Sequence, residues 1–247
     1  LASQGIHPRE DGRTLVVPPP QMVAHLQAGR IDGFCAGGPW GAVAVEQNQG
    51  FTLATSQMIW PDHPEKVLGV TAAFAEAYPN TARALSMAVL EASRFIEASE
   101  ENKRSTAQLI SGSEYVDAPL SAIQPRFLGQ YEDGLGHAWL DAHPLRFFAN
   151  GEVNFPWLSD GIWFLTQFRR WGLLREDPDY LGLARQIHRL DIYRDACAAL
   201  DIAVPEQQMR RSTLIDGRVW DGNDPAGYAA SFDIHARATV AAAHVAR

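Results

Sequence analysis

Strand-forming segments are crowded into the chain before Val70, and the rest of the sequence is patterned almost wholly at helical spacing. Leu15-Val16-Val17 is a short apolar run stopped by Pro18-Pro19-Pro20, and residues 31–36, 51–55 and 67–70 are three more runs of strand length. Between the first three, helices are predicted over 21–28, with Pro20 tolerated in the first turn and Gly29 as the stop, and over 40–48, ended by Gly50. Strands alternating with helices across short loops imply a parallel sheet with crossover helices, an α/β architecture.

Beyond Val70 the pattern changes. Leu85, Ala88, Val89, Ala92, Phe95 and Ile96 recur at helical spacing and predict a helix over 81–98. Further helices are expected over 100–110, 120–130, 160–170 (capped by Ser159 or Asp160), 178–188 and 191–200. Residues 216–234 read as turn-rich, and the Ala-rich segment 236–247 as a frayed tail. A helical layer this long, with so few strands of its own, normally covers a sheet made elsewhere. The expectation is the later part of a two-lobed α/β protein whose first-lobe strands lie upstream of Leu1. No initiator Met, basic n-region or apolar h-region opens the sequence, so no export signal is visible.

Charge and motifs exclude several classes. With 29 acidic residues against 21 Lys and Arg, the net charge is -8, which argues against a nucleic-acid partner, since phosphate contacts need clustered cations. No apolar stretch reaches bilayer-spanning length. Two cysteines, Cys35 and Cys197, make no disulfide framework and read as buried core thiols. The eight histidines show no zinc spacing, so neither a metal nor a cofactor is expected. No nucleophile elbow, phosphate-cradling loop or dinucleotide fingerprint appears, and no enzymatic activity is expected.

Two segments carry possible chemistry. Gly37-Gly38-Pro39-Trp40 turns a predicted strand into a helix, where side-chain-free backbone can approach a small anion. Asp62-His63-Pro64-Glu65-Lys66 places a lysine at the start of the next predicted strand, because Pro64 holds His63 extended. Lys66 could neutralise one negative charge in a cleft. A structural turn and a solvated edge lysine are the plainer readings of the same residues. Trp139, Trp157, Trp163 and Trp171 are expected in packing roles, and the doublets Arg169-Arg170 and Arg210-Arg211 on solvated faces.

These strings carry a resemblance. Val16-Val17-Pro18-Pro19-Pro20-Gln21-Met22, Gly29-Arg30-Ile31-Asp32-Gly33-Phe34-Cys35, Gly37-Gly38-Pro39-Trp40 and Ile59-Trp60-Pro61-Asp62-His63-Pro64-Glu65-Lys66 resemble the nitrate- and bicarbonate-binding proteins of ABC importers. So do Trp163-Phe164-Leu165-Thr166 and the close from Trp220-Asp221 to Phe232. The resemblance implies a type-II periplasmic-binding-protein-like fold, two α/β lobes around an anion cleft, here incomplete. Residues 1–62 would end lobe two, and 63–235 would return through the hinge to a mostly helical part of lobe one. The family's anion contacts fall on Gly37, through its backbone, and Lys66, through its ammonium, with Pro19 and Ala36 lining the pocket.

The implied function is capture of nitrate or nitrite for an ABC permease/ATPase complex, in the periplasm or anchored outside the inner membrane. The family also includes NasS, a cytosolic nitrate sensor, so the alternative is a cytoplasmic protein that binds an antiterminator. A bicarbonate receptor, or an enzyme like the thiamine-pyrimidine synthases of this fold, is a lesser possibility. Gly38 and Gly41 stand where the importers usually carry Glu and Asn. Losing that carboxylate removes a possible calcium ligand and counts against a bicarbonate receptor.

Overall fold

The computed structural model describes residues 1–236; of the expected tail segment 236–247, everything after Ala236 lies outside the described residues. In chain order the described helices are α1 (Met22–Gln27), α2 (Trp40–Glu46), α3 (Ser56–Ile59), α4 (Ala72–Ala77), α5 (Pro79–Glu97), α6 (Glu100–Ile110), α7 (Leu120–Phe127), α8 (Leu158–Arg170), α9 (Tyr180–His188), α10 (Leu190–Ala199) and α11 (Pro225–Ala230). Four short strands, β1 (Gln130–Glu132), β2 (Ala138–Leu140), β3 (Ser212–Thr213) and β4 (Val219–Trp220), pair as two antiparallel hairpins. The chain divides into a larger unit, Leu15–Phe155 with Asp191–Glu206, and a smaller one made of Leu1–Thr14, Pro156–Leu190 and the described residues from Gln207 on.

The larger unit is built on helices whose ends the sequence marks clearly. Pro79 opens α5, where its missing N–H costs nothing. Ser99 caps α6 by accepting from the Asn102 amide at 3.0 Å, and Glu100 and Glu101 sit in its first turn, where the helix dipole favours them. Ala107, Ala118, Ile123 and Phe127 form one buried cluster; Val23, Ala42, Val43, Ala44 and Ala122 form another. Trp40 packs against both, which anchors the start of α2. Behind α5, the Glu97 carboxylate accepts from the amides of Phe147 (2.7 Å), Phe148 (2.8 Å) and Ala149 (2.6 Å). Burial alone would raise its pKa, but those three donors and the charge of Lys103 outweigh it, and the carboxyl titrates below its ordinary range.

The four segments expected as strands before Val70 join no sheet among the described residues. Several of their apolar side chains stand in solvent: Val16 is fully exposed, and Leu53 and Val67 are each 87% exposed, whereas Val17 is buried and Phe34 packs against the Val23 cluster. A strand is stabilised by the ladder and the side chains of its neighbours. These segments are given no ladder here, the Thr52 amide donating singly to the Asp133 carbonyl at 2.8 Å. Cys197 is fully buried as expected, whereas Cys35, on one of these uncovered segments, is exposed.

The smaller unit is organised around α8, with α9 and α11 against it. The expected cap is corrected. Helix α8 begins at Leu158, one residue ahead of Ser159, so both candidate caps lie inside its first turn and are buried. They are held from 50 residues away. Arg210 donates from Nε (3.0 Å) and Nη2 (2.7 Å) to the two oxygens of Asp160, and its amide donates to Ser159 Oγ at 3.0 Å. Trp220 from β4, 1% exposed, donates its indole N–H to the Ser159 carbonyl at 2.7 Å. The arginine doublets are therefore only partly solvated faces. Arg210 is bound to Asp160, and Arg170 lies 3.8 Å from the Phe232 ring centroid while donating to the Ile234 carbonyl.

Candidate functional site

All four residues singled out from the sequence lie in the larger unit. The first segment is set by α2. Ala42, Val43, Ala44 and Val45 are buried, which fixes the helix, and the chain enters it through the exposed Gly37 and Gly38 and the buried Pro39. The Gly38–Pro39 bond is cis. Helix α2 spans only seven residues, which makes its N-terminus a weak anion site by itself.

The second segment is braced by α3. Thr55 caps that helix, and Trp60 is buried just beyond it. His63 then bonds Ser56 Oγ through Nε2 (2.7 Å) and the Pro64 carbonyl through Nδ1 (2.8 Å). Asp62 adopts a left-handed φ of 56°, its amide donating to Gln57 Oε1, and its carboxylate pairs with Arg146 at 3.3 Å. These contacts turn the chain sharply ahead of Glu65 and Lys66.

The two segments meet. A Cβ placed on Gly37 would lie 3.7 Å from Lys66 Nζ and 3.8 Å from Glu65 Oε1, ordinary contact distances that set Gly37 beside the ion pair. Ala36 precedes this point and is half-buried. Pro19 opens the 3-10 turn leading into α1, is exposed, and is not among the atoms within 4 Å of the Gly37 position. Gly38 has open space where a Cβ would stand. The residue that sequence reasoning missed is Glu65. Both its oxygens hold the Lys66 ammonium, at 2.8 and 2.9 Å, with side-chain exposures of 50% for Glu65 and 80% for Lys66. Its position next to Lys66 in the chain was the available signal. Among the described residues no group of His, Cys, Asp and Glu could hold a metal ion.

Comparison with known proteins adds to this geometry. The NMT1-like family profile matches residues 1–111. The chain is 37% identical over 235 residues to the nitrate import ATP-binding protein NrtC of Synechocystis sp., covering 95% of this chain and 35% of that protein. It is 34% identical to the nitrate/nitrite binding protein NrtA of Nostoc sp., covering 95% of this chain and 54% of NrtA. The crystal structure of the periplasmic nitrate-binding protein NrtA from Synechocystis PCC 6803 superposes with a TM-score of 0.89 at 33% identity, over 94% of this chain and 62% of that one. The chain thus spans about half the length of the nitrate-binding relative. Fold and match together define the class: a partial type-II solute-binding α/β fold with high helical content. Within that class, the proteins this chain is similar to are named for nitrate import and for nitrate/nitrite binding.

Proposed function

We propose that the chain is a solute-binding component of an ABC-type nitrate or nitrite importer and holds a small oxyanion in a cleft between two lobes. Lys66 supplies the fixed positive charge, the Gly37 backbone a neutral donor, and Ala36 and Pro19 line the pocket. Residues 1–62 end one lobe, and 63–235 return through the hinge to the other. The observation that carries this reading is the meeting of Gly37 and Lys66 on a chain that superposes so closely on a nitrate-binding protein. A protein with net charge -8 does not attract an anion through its overall field, so recognition falls to such local donors. One ammonium matches a singly charged oxyanion, and a charge-assisted hydrogen bond is stronger than a neutral one.

The partners that fit are an importer's permease and ATPase, since NrtC is named for nitrate import. The corresponding place is the periplasm or an anchor outside the inner membrane. No described helix is long and apolar enough to cross a membrane. The relatives are named as binding and import proteins, which leaves the cytosolic-sensor alternative, with its antiterminator partner, without support. Calorimetric titration of nitrate, nitrite and bicarbonate into the full-length protein tests the proposal. Saturable nitrate or nitrite binding is expected, with Lys66→Ala weakening it by about 2 kcal/mol or more. Unchanged affinity in that variant removes Lys66 from the site.

A further inference from the structure

We infer that Glu65 is a built-in competitor for the anion site, its carboxylate holding the Lys66 ammonium beside Gly37 in the place a bound oxyanion would take. This rests on the reading of Gly37 and Lys66 as the anion site and adds a regulator to it. Three observations converge on Glu65. First, both oxygens of one carboxylate chelate one ammonium, at 2.8 and 2.9 Å. Nitrate, nitrite and bicarbonate each present the same edge, two oxygens on one central atom, so Lys66 meets equivalent partners in Glu65 and in the ligand. Second, Glu65 Oε1 lies 3.8 Å from the Cβ position of Gly37, almost as near as the ammonium itself at 3.7 Å. The carboxylate therefore borders the space that a side chain at Gly37 would fill, next to the ammonium. Third, the neighbouring acid is committed elsewhere, because Asp62 pairs with Arg146. Glu65 is the acid left to neutralise Lys66 within this segment.

The exposure of the pair sets its strength. Ion pairs between solvent-exposed groups are weak, so Glu65 can be displaced by a ligand that also bonds the backbone. Opening the site then means exchanging one carboxylate for one external oxyanion on the same ammonium. The cost of releasing Glu65 is the same for any incoming anion, chloride included. The competitor thus lowers the affinity for every anion by one common factor, because each must first displace it.

The test is calorimetric titration of potassium nitrate into the full-length protein, with potassium chloride as the second probe. Glu65→Gln removes the charge and should tighten nitrate binding by about two- to fivefold, the range an exposed ion pair allows. Glu65→Asp keeps the charge but shortens its reach, and should tighten binding by less. Glu65→Gln should tighten chloride binding by the same factor, leaving the nitrate-to-chloride ratio as in the wild type. Unchanged or weaker nitrate binding in Glu65→Gln, alongside a loss in Lys66→Ala, overturns the competitor and leaves the site standing. Wild-type affinity in Lys66→Ala removes the site, and the competitor falls with it. A gain in Glu65→Gln with none in Glu65→Asp points to a general field effect and also overturns the direct exchange.

Discussion

The smaller unit and the opening of the larger one solve the same problem in opposite ways. Around α8 the buried polar groups have named partners: Asp160 and Ser159 hold Arg210, and the Ser159 carbonyl holds Trp220. In the strand-like segments before Val70 several apolar groups have too few, with Val16, Leu53 and Val67 standing in water. A helix satisfies its backbone within itself and needs only side-chain cover, whereas a strand depends on a neighbour for both its ladder and its packing. Helical parts of the chain therefore satisfy their own backbone, even where α5 leaves Leu85, Val89 and Phe95 exposed. The strand-like parts are edges.

The sharpest way to break the comparison is to remove a partner where partners are plentiful. Arg210→Met takes the guanidinium from Asp160, which is only 8% exposed at its side chain, and leaves that carboxylate in place. Breaking a buried pair from one side is costly, and a loss of about 3 kcal/mol in urea-induced unfolding is expected. A loss under about 1 kcal/mol shows that water reaches Asp160 and that the network is dispensable.

Glu97 is the corresponding anchor inside the larger unit. Glu97→Gln keeps the shape but weakens three hydrogen bonds to the 147–149 backbone, and a loss of about 2 kcal/mol is expected. The sign with pH comes from its lowered pKa. The unfolded state takes up the proton first, so the stabilisation is complete above the ordinary carboxylate range and fades as pH falls through and below it. Wild type and Glu97→Gln should therefore converge in stability under acid. A difference that persists unchanged to low pH assigns the effect to packing rather than charge.

The same contrast explains what could be read from residues alone. Helix α6 matches its expected 100–110 bounds, and α5 begins two residues ahead of the expected 81, because periodicity, Pro79 and Ser99 are local signals. The short helices α3, α4 and α11 and both hairpins were not legible, since two or three turn residues outweigh so little periodicity. Ser159 and Asp160 looked like caps because capping is a local rule, while the arginine that claims Asp160 is 50 residues away. At the site, the resemblance singles out Gly37 and Lys66 as candidates, and the structure sets them side by side. The Glu65 contact was not, because it depends on how adjacent side chains turn and not on which residues they are.

The smallest expected effect bears most directly on the open edges. Leu53→Lys replaces an 87% exposed leucine with a charged residue on a segment that joins no described sheet. In the 247-residue chain this should change unfolding stability by no more than about 0.5 kcal/mol, the usual range for surface substitutions. It should also reduce self-association, because exposed apolar strand edges template pairing between chains, which sedimentation measures directly. A stability loss above about 1.5 kcal/mol, the scale of burying such a side chain, means that Leu53 is covered in the folded protein. The segment would then be a paired strand, and the two halves of the comparison would obey one rule: every apolar group and every polar group has its partner.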